Sequence, residues 1–387
     1  MSAVTAFIRN TPKASLAAYF IHTGITLSPP VNWDMPGDIV RPVLQAVDEM
    51  DAITRDRVET VAERVTGMAD EAGETAIYSV AQNPGFLDTL SNRSARALWM
   101  FINDATGFRH AEEVRFTDEK RHRRIWDGFV GAPNLEVRRD PGSIEAFKAA
   151  IRGRFQSNNV HVDLFDRQRA IYGESDCELV QAAVYREGRP DDVLEFVDGA
   201  LDLRPRRPVF EAAITYEAAT GVIEVVANDR DSREDMVRMF ARDLLASEFR
   251  QERLPFRHFS LGPLLQPFTF PTDIEDGIES VRVSYLRLMP IDTVGERVAL
   301  ECMRQATRTI WDMATERFGA SSPLLGGWVI TQAKFTIRFH PEPGTSRGKT
   351  LPLTITMPHG CDLKGQTERE RLIGDKYLRR WGMLRDV

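Results

Sequence analysis

Asn158-Asn159-Val160-His161-Val162-Asp163-Leu164-Phe165 is the stretch at which the apolar spacing of this 387-residue chain changes. Val160, Val162 and Leu164 alternate with His161, Asp163 and Phe165, the period of two that sends successive side chains to opposite faces of a strand. Before it the spacing is helical. Val58, Val61, Ala62, Val65 and Met68 recur at three- and four-residue steps with Asp56, Glu59, Glu63 and Arg64 between them, predicting an amphipathic helix. Leu87, Leu90, Ala97, Leu98, Phe101 and Ile102 predict another over Phe86 to Ala105, after the break Asn83-Pro84-Gly85, and Ile144, Phe147, Ile151 and Phe155 predict one over Ser143 to Phe155. Residues 1–37 show no clear period and end in Pro29, Pro30, Pro36 and Gly37, so they read as an N-terminal arm ahead of a helical domain over 38–155.

Downstream of Asn158 the strand-like runs continue at Glu178–Arg186, Val193–Val197, Val209–Tyr216 and Val222–Ala227. Glu187-Gly188-Arg189-Pro190 and Ala219-Thr220-Gly221 are short connections, which favour an antiparallel meander over a parallel sheet with long crossovers. Ser232 and Asp235 then open a helix with Met236, Met239, Phe240 and Leu244 inward, completing a meander with its covering helix over 156–253. A proline-rich passage, Leu254 to Pro271, leads to a C-terminal α+β domain over 272–387. There the pattern predicts a strand at Ser280–Leu288, then a long helix opened by a Thr293/Glu296 capping box. Val298, Cys302, Ala306, Ile310 and Met313 form its buried side, and Phe318-Gly319 ends it. The expected class is α+β: a helical N-terminal domain followed by antiparallel-sheet-plus-helix units. No internal repeat points to a solenoid or propeller.

The clearest local pattern is Trp328–His340. Val329, Ala333, Phe335, Ile337 and Phe339 are assigned to one face, and Gln332, Lys334, Thr336, Arg338 and His340 to the other. Thr350–Met357 repeats the scheme with Leu351, Leu353, Ile355 and Met357 inward. The intervening Gly344-Thr-Ser-Arg-Gly348-Lys349-Thr350 is one residue short of a phosphate-binding P-loop, and a strand follows its lysine where a P-loop requires a helix N-terminus. What remains is a glycine-containing loop bearing Arg347 and Lys349 beside a basic strand face. A terminal helix over Thr367–Leu384, opened by a Thr367/Glu370 capping box, has Ile373, Tyr377, Trp381 and Leu384 on its docking stripe and basic residues around the remainder. Lys334, Arg338, Arg347, Lys349, Lys364, Arg369, Lys376 and Arg380 are the expected contacts to a polyanion. A second basic cluster, Lys120-Arg121-His122-Arg123-Arg124, reads as a solvated helix face.

Charge supports the same end of the chain. The net charge is −7, yet residues 1–80 carry six basic against eleven acidic side chains while residues 333–387 carry eleven against six. Only seven of the fifty basic residues are lysine, so arginine is abundant everywhere and its count alone is a weak signal for phosphate. Hydrophobic residues at 42% and charged residues at 28% are ordinary for a globular chain. Cys177, Cys302 and Cys361 are too few and too scattered for a disulfide framework or a cysteine-based zinc site. With no secretory signal pattern and no apolar run long enough to span a bilayer, the expected location is cytoplasmic, without membrane contact.

Common catalytic signatures are absent: no G-x-S-x-G, no H-E-x-x-H, no dinucleotide-binding glycine pattern and no kinase set. His161 and Asp163 share a strand face at a spacing compatible with a metal pair but lack a third ligand, and Asp176 with Glu178 reads as an acidic strand edge. Glu342, followed by Asp362 and Lys364, resembles the order of the PD-(D/E)xK nucleases, in which acids hold a divalent ion and lysine orients water. Glutamate stands where that family usually has its first aspartate, and Asp362 follows the turn Pro358-His359-Gly360 rather than lying in a strand. The sequence therefore favours a non-catalytic protein without cofactor or metal, contacting DNA or RNA, as a subunit of a bacterial antiviral (phage-defence) or genome-maintenance assembly. It leaves open a magnesium-dependent nuclease built on Glu342, Asp362 and Lys364, and a scaffold with a protein partner or a homo-oligomeric state.

Overall fold

The computed structural model of the chain describes residues 2–386 apart from 35–36, 122–123, 170–175, 198, 255–256, 294, 304–306, 342–345 and 358–359. Two compact units divide the chain: the first takes Met1–Ala170 and Ser175–Arg253, and the second takes Leu254–Val387 with Ile171–Glu174.

Helices α1 (Ala3–Asn10), α2 (Lys13–Thr23), α3 (Val40–Asp48), α4 (Ala52–Gly67), α5 (Glu71–Val80), α6 (Pro84–Asp88), α7 (Arg93–Asn103) and α8 (Ala105–Lys120) open the first unit. Aspartates punctuate them: Asp51, Asp70 and Asp104 accept backbone N–H groups from Thr54, Gly73 and Gly107 at 2.8–3.0 Å, satisfying donors that the helix itself leaves free. Residues 1–37 contain two core-forming helices. Phe7, Leu16 and Tyr19 are buried in the same apolar cluster as Val58, Ala62 and Phe108. Pro12 at the α1–α2 junction splits their apolar positions into segments too short for a period to stand out. The helix expected over Phe86–Ala105 is likewise two, because Asn92 caps α7 through Ala95 N–H at 2.9 Å.

Strand β1 (Trp126–Val130) and helix α9 (Pro141–Phe155) precede β2 (Val160–Arg169), β3 (Cys177–Glu187), β4 (Asp191–Val197), β5 (Ala200–Arg206), β6 (Val209–Glu217), β7 (Val222–Ala227) and α10 (Arg230–Asp243). The sheet is antiparallel, in the order β1-β7-β6-β3-β2. Phe147 and Ile151 of α9 and Phe240 of α10 pack with Val162, Ala182, Ile214 and Ile223, while Phe165 and Ala183 belong to the cluster of the N-terminal helices. The change of period at Asn158 thus marks entry into a sheet that shares its core with those helices. Three details depart from the sequence pattern. Trp126–Val130 is a strand paired to β7, Asp229 rather than Ser232 caps α10, and β4 pairs with β5 in a separate two-stranded hairpin instead of with β3. Strand β3 pairs with β6, Glu187 opposite Val209, so the hairpin prolongs the β3–β6 ribbon.

The second unit holds β8 (Arg257–Phe259), β9 (Ile278–Pro290), β10 (Val298–Glu301), α11 (Ile310–Phe318), β11 (Trp328–Phe339), β12 (Thr350–Thr356), β13 (Gly360–Cys361), α12 (Glu368–Arg380) and β14 (Leu384–Asp386). Its antiparallel sheet has the order β10-β9-β11-β12-β13, and β14 pairs with β8. The single long helix expected after Thr293 does not form. Val298–Glu301 instead pairs along β9, and a shorter α11 starts at a capping box of Thr309 and Asp312. The molecule is an α+β protein. Among the described residues no helix is long and apolar enough to cross a membrane.

Candidate nucleic-acid interface

One face of the second unit's sheet is apolar and covered. Val283, Leu286 and Leu288 of β9, Ala333, Phe335 and Ile337 of β11, and Leu351, Leu353 and Ile355 of β12 cluster with Ile310 and Trp311 of α11 and with Ile373, Tyr377 and Trp381 of α12. Polar tips fix the covering helices: Trp311 Nε1 donates to the Leu264 carbonyl at 2.8 Å, Trp381 Nε1 to that of Pro271 at 3.1 Å, and the Tyr377 hydroxyl donates to Asp276.

Both covering helices lie on that side, and the strand register decides what the opposite face presents. Lys334 lies between Tyr285 and Thr354, Gln332 between Arg287 and Thr356, Thr336 between Arg282 and Pro352, and Arg338 between Ser280 and Thr350. Residues directly opposite in antiparallel strands share a face, so Tyr285, Arg282, Arg287, Lys334 and Arg338 form one patch with threonine hydroxyls along its β12 side and one carboxylate, Glu301 of β10, opposite Tyr285. The Lys334 ammonium lies 4.9 Å from the centroid of the Tyr285 ring, Arg287 donates to Thr331 at 3.3 Å, and Gln332 donates to Thr356 at 2.9 Å. Arg282 donates to the carbonyls of Met303 and Arg308 at 3.2 and 3.3 Å, and the nearest carboxylate to Arg338 is Glu279 at 3.9 Å. Arg282, Arg287 and Tyr285 do not stand out in the sequence. Their signal is the paired runs Val281-Arg-Val283 and Leu286-Arg-Leu288, whose common face is hidden by a register shift between them.

The eight cations expected as one surface are distributed over several. Lys334 and Arg338 stand on the open face. Lys376 and Arg380 belong to α12, which covers the other face, and are held by carboxylates. Lys376 Nζ is 2.7 Å from both Asp273 and Asp276, and Arg380 is 2.5 Å from Asp273. Hydrogen bonds from Arg380 and then Lys376 hold the Asp273 carboxyl below its ordinary range. Burial alone would lower the Lys376 ammonium, and its two aspartates reverse that and raise it. Lys349 meets Glu370, the third residue of α12, at 3.0 Å. Burial works to raise Glu370, but Lys349 and the Thr367 cap hold it below its usual value. Arg347 and Arg369 are exposed and make no ion pair among the described residues. Lys364 lies in a 3₁₀ turn, Asp362–Gly365, with its side chain outside what is described. Gly348 is required where it stands, since a Cβ there would collide with the Phe339 carbonyl; the phosphate-loop-like spelling accompanies a tight strand approach.

The metal candidates fare differently. Glu342 lies outside the described residues. Asp362 accepts the Thr354 N–H at 2.6 Å beside the β12 strand. Asp163 bonds to Arg109 at 2.7 Å and His110 at 3.0 Å, while His161 lies against Tyr185. No group of three or more histidine, cysteine, aspartate or glutamate side chains suited to a metal occurs among the described residues. In the other basic cluster, Arg121 contacts Glu224 at 2.7 Å within the first unit, and His122 and Arg123 lie outside the described residues. No protein-family model matches the chain, and no curated protein does.

Proposed function

We propose that this protein binds single-stranded nucleic acid on the open sheet face of its second unit. The observation that carries the reading is the grouping of an aromatic ring, Tyr285, with Arg282, Arg287, Lys334 and Arg338 on the face opposite α11 and α12. An aromatic ring on a flat face offers a base a stacking surface, and surrounding cations and hydroxyls suit the phosphates between bases. A stacked base takes the side of Tyr285 that Lys334 now covers and releases that ammonium to a phosphate. Duplexes bind less well, because their bases are already stacked and a flat sheet enters neither groove.

Fluorescence anisotropy with single-stranded DNA and RNA oligonucleotides tests this directly. Four phosphate contacts to a single strand give a slope of about −3 for log K against log salt, roughly a 50-fold loss over a fourfold rise in salt. Lys334→Glu is expected to lower the slope magnitude by about one, and Tyr285→Ala to cost about 1–3 kcal/mol of binding. Wild-type protein with no salt-sensitive binding, or variants that bind as the wild type does, would remove the proposal.

A further inference from the structure

The β4–β5 hairpin of the first unit presents an apolar surface to solvent. Its register sets Leu194 opposite Leu203 and Phe196 opposite Leu201, so all four project from one face. Their exposures are 61% and 58% for the leucine pair, and 78% and 58% for Phe196 and Leu201. The other face carries the charged residues Asp191, Glu195, Asp202, Arg204 and Arg206 beside Val193 and Val197, with Arg206 3.1 Å from Asp191 and Arg204 3.9 Å from Asp202. The hairpin gains no third strand among the described residues, so both of its edges are open as well. A lone two-stranded ribbon is marginal in water, and monomers rarely leave a contiguous apolar patch of this kind uncovered.

We infer that this hairpin is a homodimerisation arm, its apolar face docking on the same face of a second copy of the chain. Area is the first argument. The four side chains expose roughly 450 Å² per copy. Docking the two faces would bury about 900 Å² over two copies, the size of a small, reversible interface. Geometry is the second. A two-fold axis parallel to the strands sets β4 of one copy over β5 of the other, placing Phe196 on the partner's Leu201 and Leu194 on the partner's Leu203 at ordinary sheet-stacking distance. Charge is the third. Residues 189–207 hold four basic and five acidic side chains, a balance that offers an anionic membrane no attraction and a strongly charged partner no complement, but suits a surface meeting itself.

Light scattering after size exclusion, and sedimentation velocity across a concentration series of the full chain, provide the test. The wild type is expected at twice the 43.8 kDa chain mass, dissociating on dilution. Phe196→Asp with Leu203→Asp raises the dimer dissociation constant about 100-fold or more, because each new carboxylate would have to leave water for leucine. Glu195→Lys, on the opposite face, leaves it unchanged. Thermal unfolding followed by circular dichroism separates lost docking from lost folding, and the exposed sites predict an unchanged melt for the diluted monomer. A wild type that stays at the single-chain mass throughout the series overturns the inference. So does a dimer that survives the double aspartate variant, and so does a monomer that floats with phosphatidylcholine vesicles.

Discussion

Arg167 and Arg169 enter the interior of the first unit with side chains only 0% and 7% exposed. They persist there because α8 and β7 supply carboxylates: Arg167 forks onto Asp118 at 2.8 and 2.9 Å, and Arg169 meets Glu224 at 2.8 Å. Burial alone would raise the Asp118 carboxyl, but Arg167 and then Arg169 bring it down to about 2. Its share of stability is therefore present above the ordinary carboxylate range and is lost as pH falls through about 2. Asp118→Asn leaves buried guanidinium charge uncompensated and should cost about 3–5 kcal/mol, read as a lower denaturant midpoint at unchanged m-value. Glu113 behaves in the opposite sense. Burial first, and Glu211 next, push it up to about 8 from an ordinary 4.5. Across that interval the folded chain holds a proton that the unfolded chain has released, so stability declines as pH rises from about 4.5 to 8. Glu113→Gln removes that decline, and melting temperatures between pH 5 and 8.5 should be flatter than those of the wild type. In the sequence, Asp166-Arg-Gln-Arg169 shows only alternation; that its arginine side faces acids on α8 and β7 is decided by packing between residues some 50 positions apart.

Elements were legible wherever local chemistry and long-range packing agree. Thr367 and Glu370 cap α12 reciprocally as their spacing indicates, and β11 and β12 place Phe335, Ile337, Leu351 and Leu353 inward as their alternation requires. Thr293 and Glu296 have the same spelling without the same outcome. The edge of β9 takes Val298–Glu301 as a strand, and a ladder of backbone hydrogen bonds outweighs a helix pattern that shares the same apolar positions. Two of the five residues of the candidate interface were legible for a related reason. Lys334 and Arg338 lie on a regular strand, whereas β9 changes register opposite Lys334 and Phe335 and so conceals the common side of Arg282, Tyr285 and Arg287. At this scale Thr367→Ala tests the α12 cap. It removes the hydroxyl that accepts the Glu370 N–H and the partner of the Glu370 carboxylate at 3.0 Å, and should lower stability by about 1 kcal/mol in thermal unfolding.

At the level of the whole molecule, the apolar residues separate as the chain does. Every member of the core cluster around β9, β11 and α12 falls between Phe259 and Leu384, and the buried members of the other two clusters lie between Val4 and Leu245. A cluster that among the described residues recruits nothing from the rest of the chain meets a main requirement of an independently folding domain, and a segment of 134 residues, 254–387, is of ordinary domain size. That same segment carries the candidate interface, while the candidate dimerisation arm belongs to the first unit, so binding a strand and pairing two copies are separable. Residues 254–387 expressed alone are expected to unfold in a single cooperative transition and to bind single-stranded oligonucleotide with the salt slope of the full chain, but to sediment as one chain at concentrations where the full chain pairs. A fragment without a cooperative melt would show that its core depends on the first unit. A folded fragment that pairs as the full chain does would move the dimer contact out of the hairpin. Two binding faces joined in a dimer would then raise apparent affinity for long strands but not for short ones, and comparing the full chain with its Phe196→Asp/Leu203→Asp variant on strands of increasing length measures that difference.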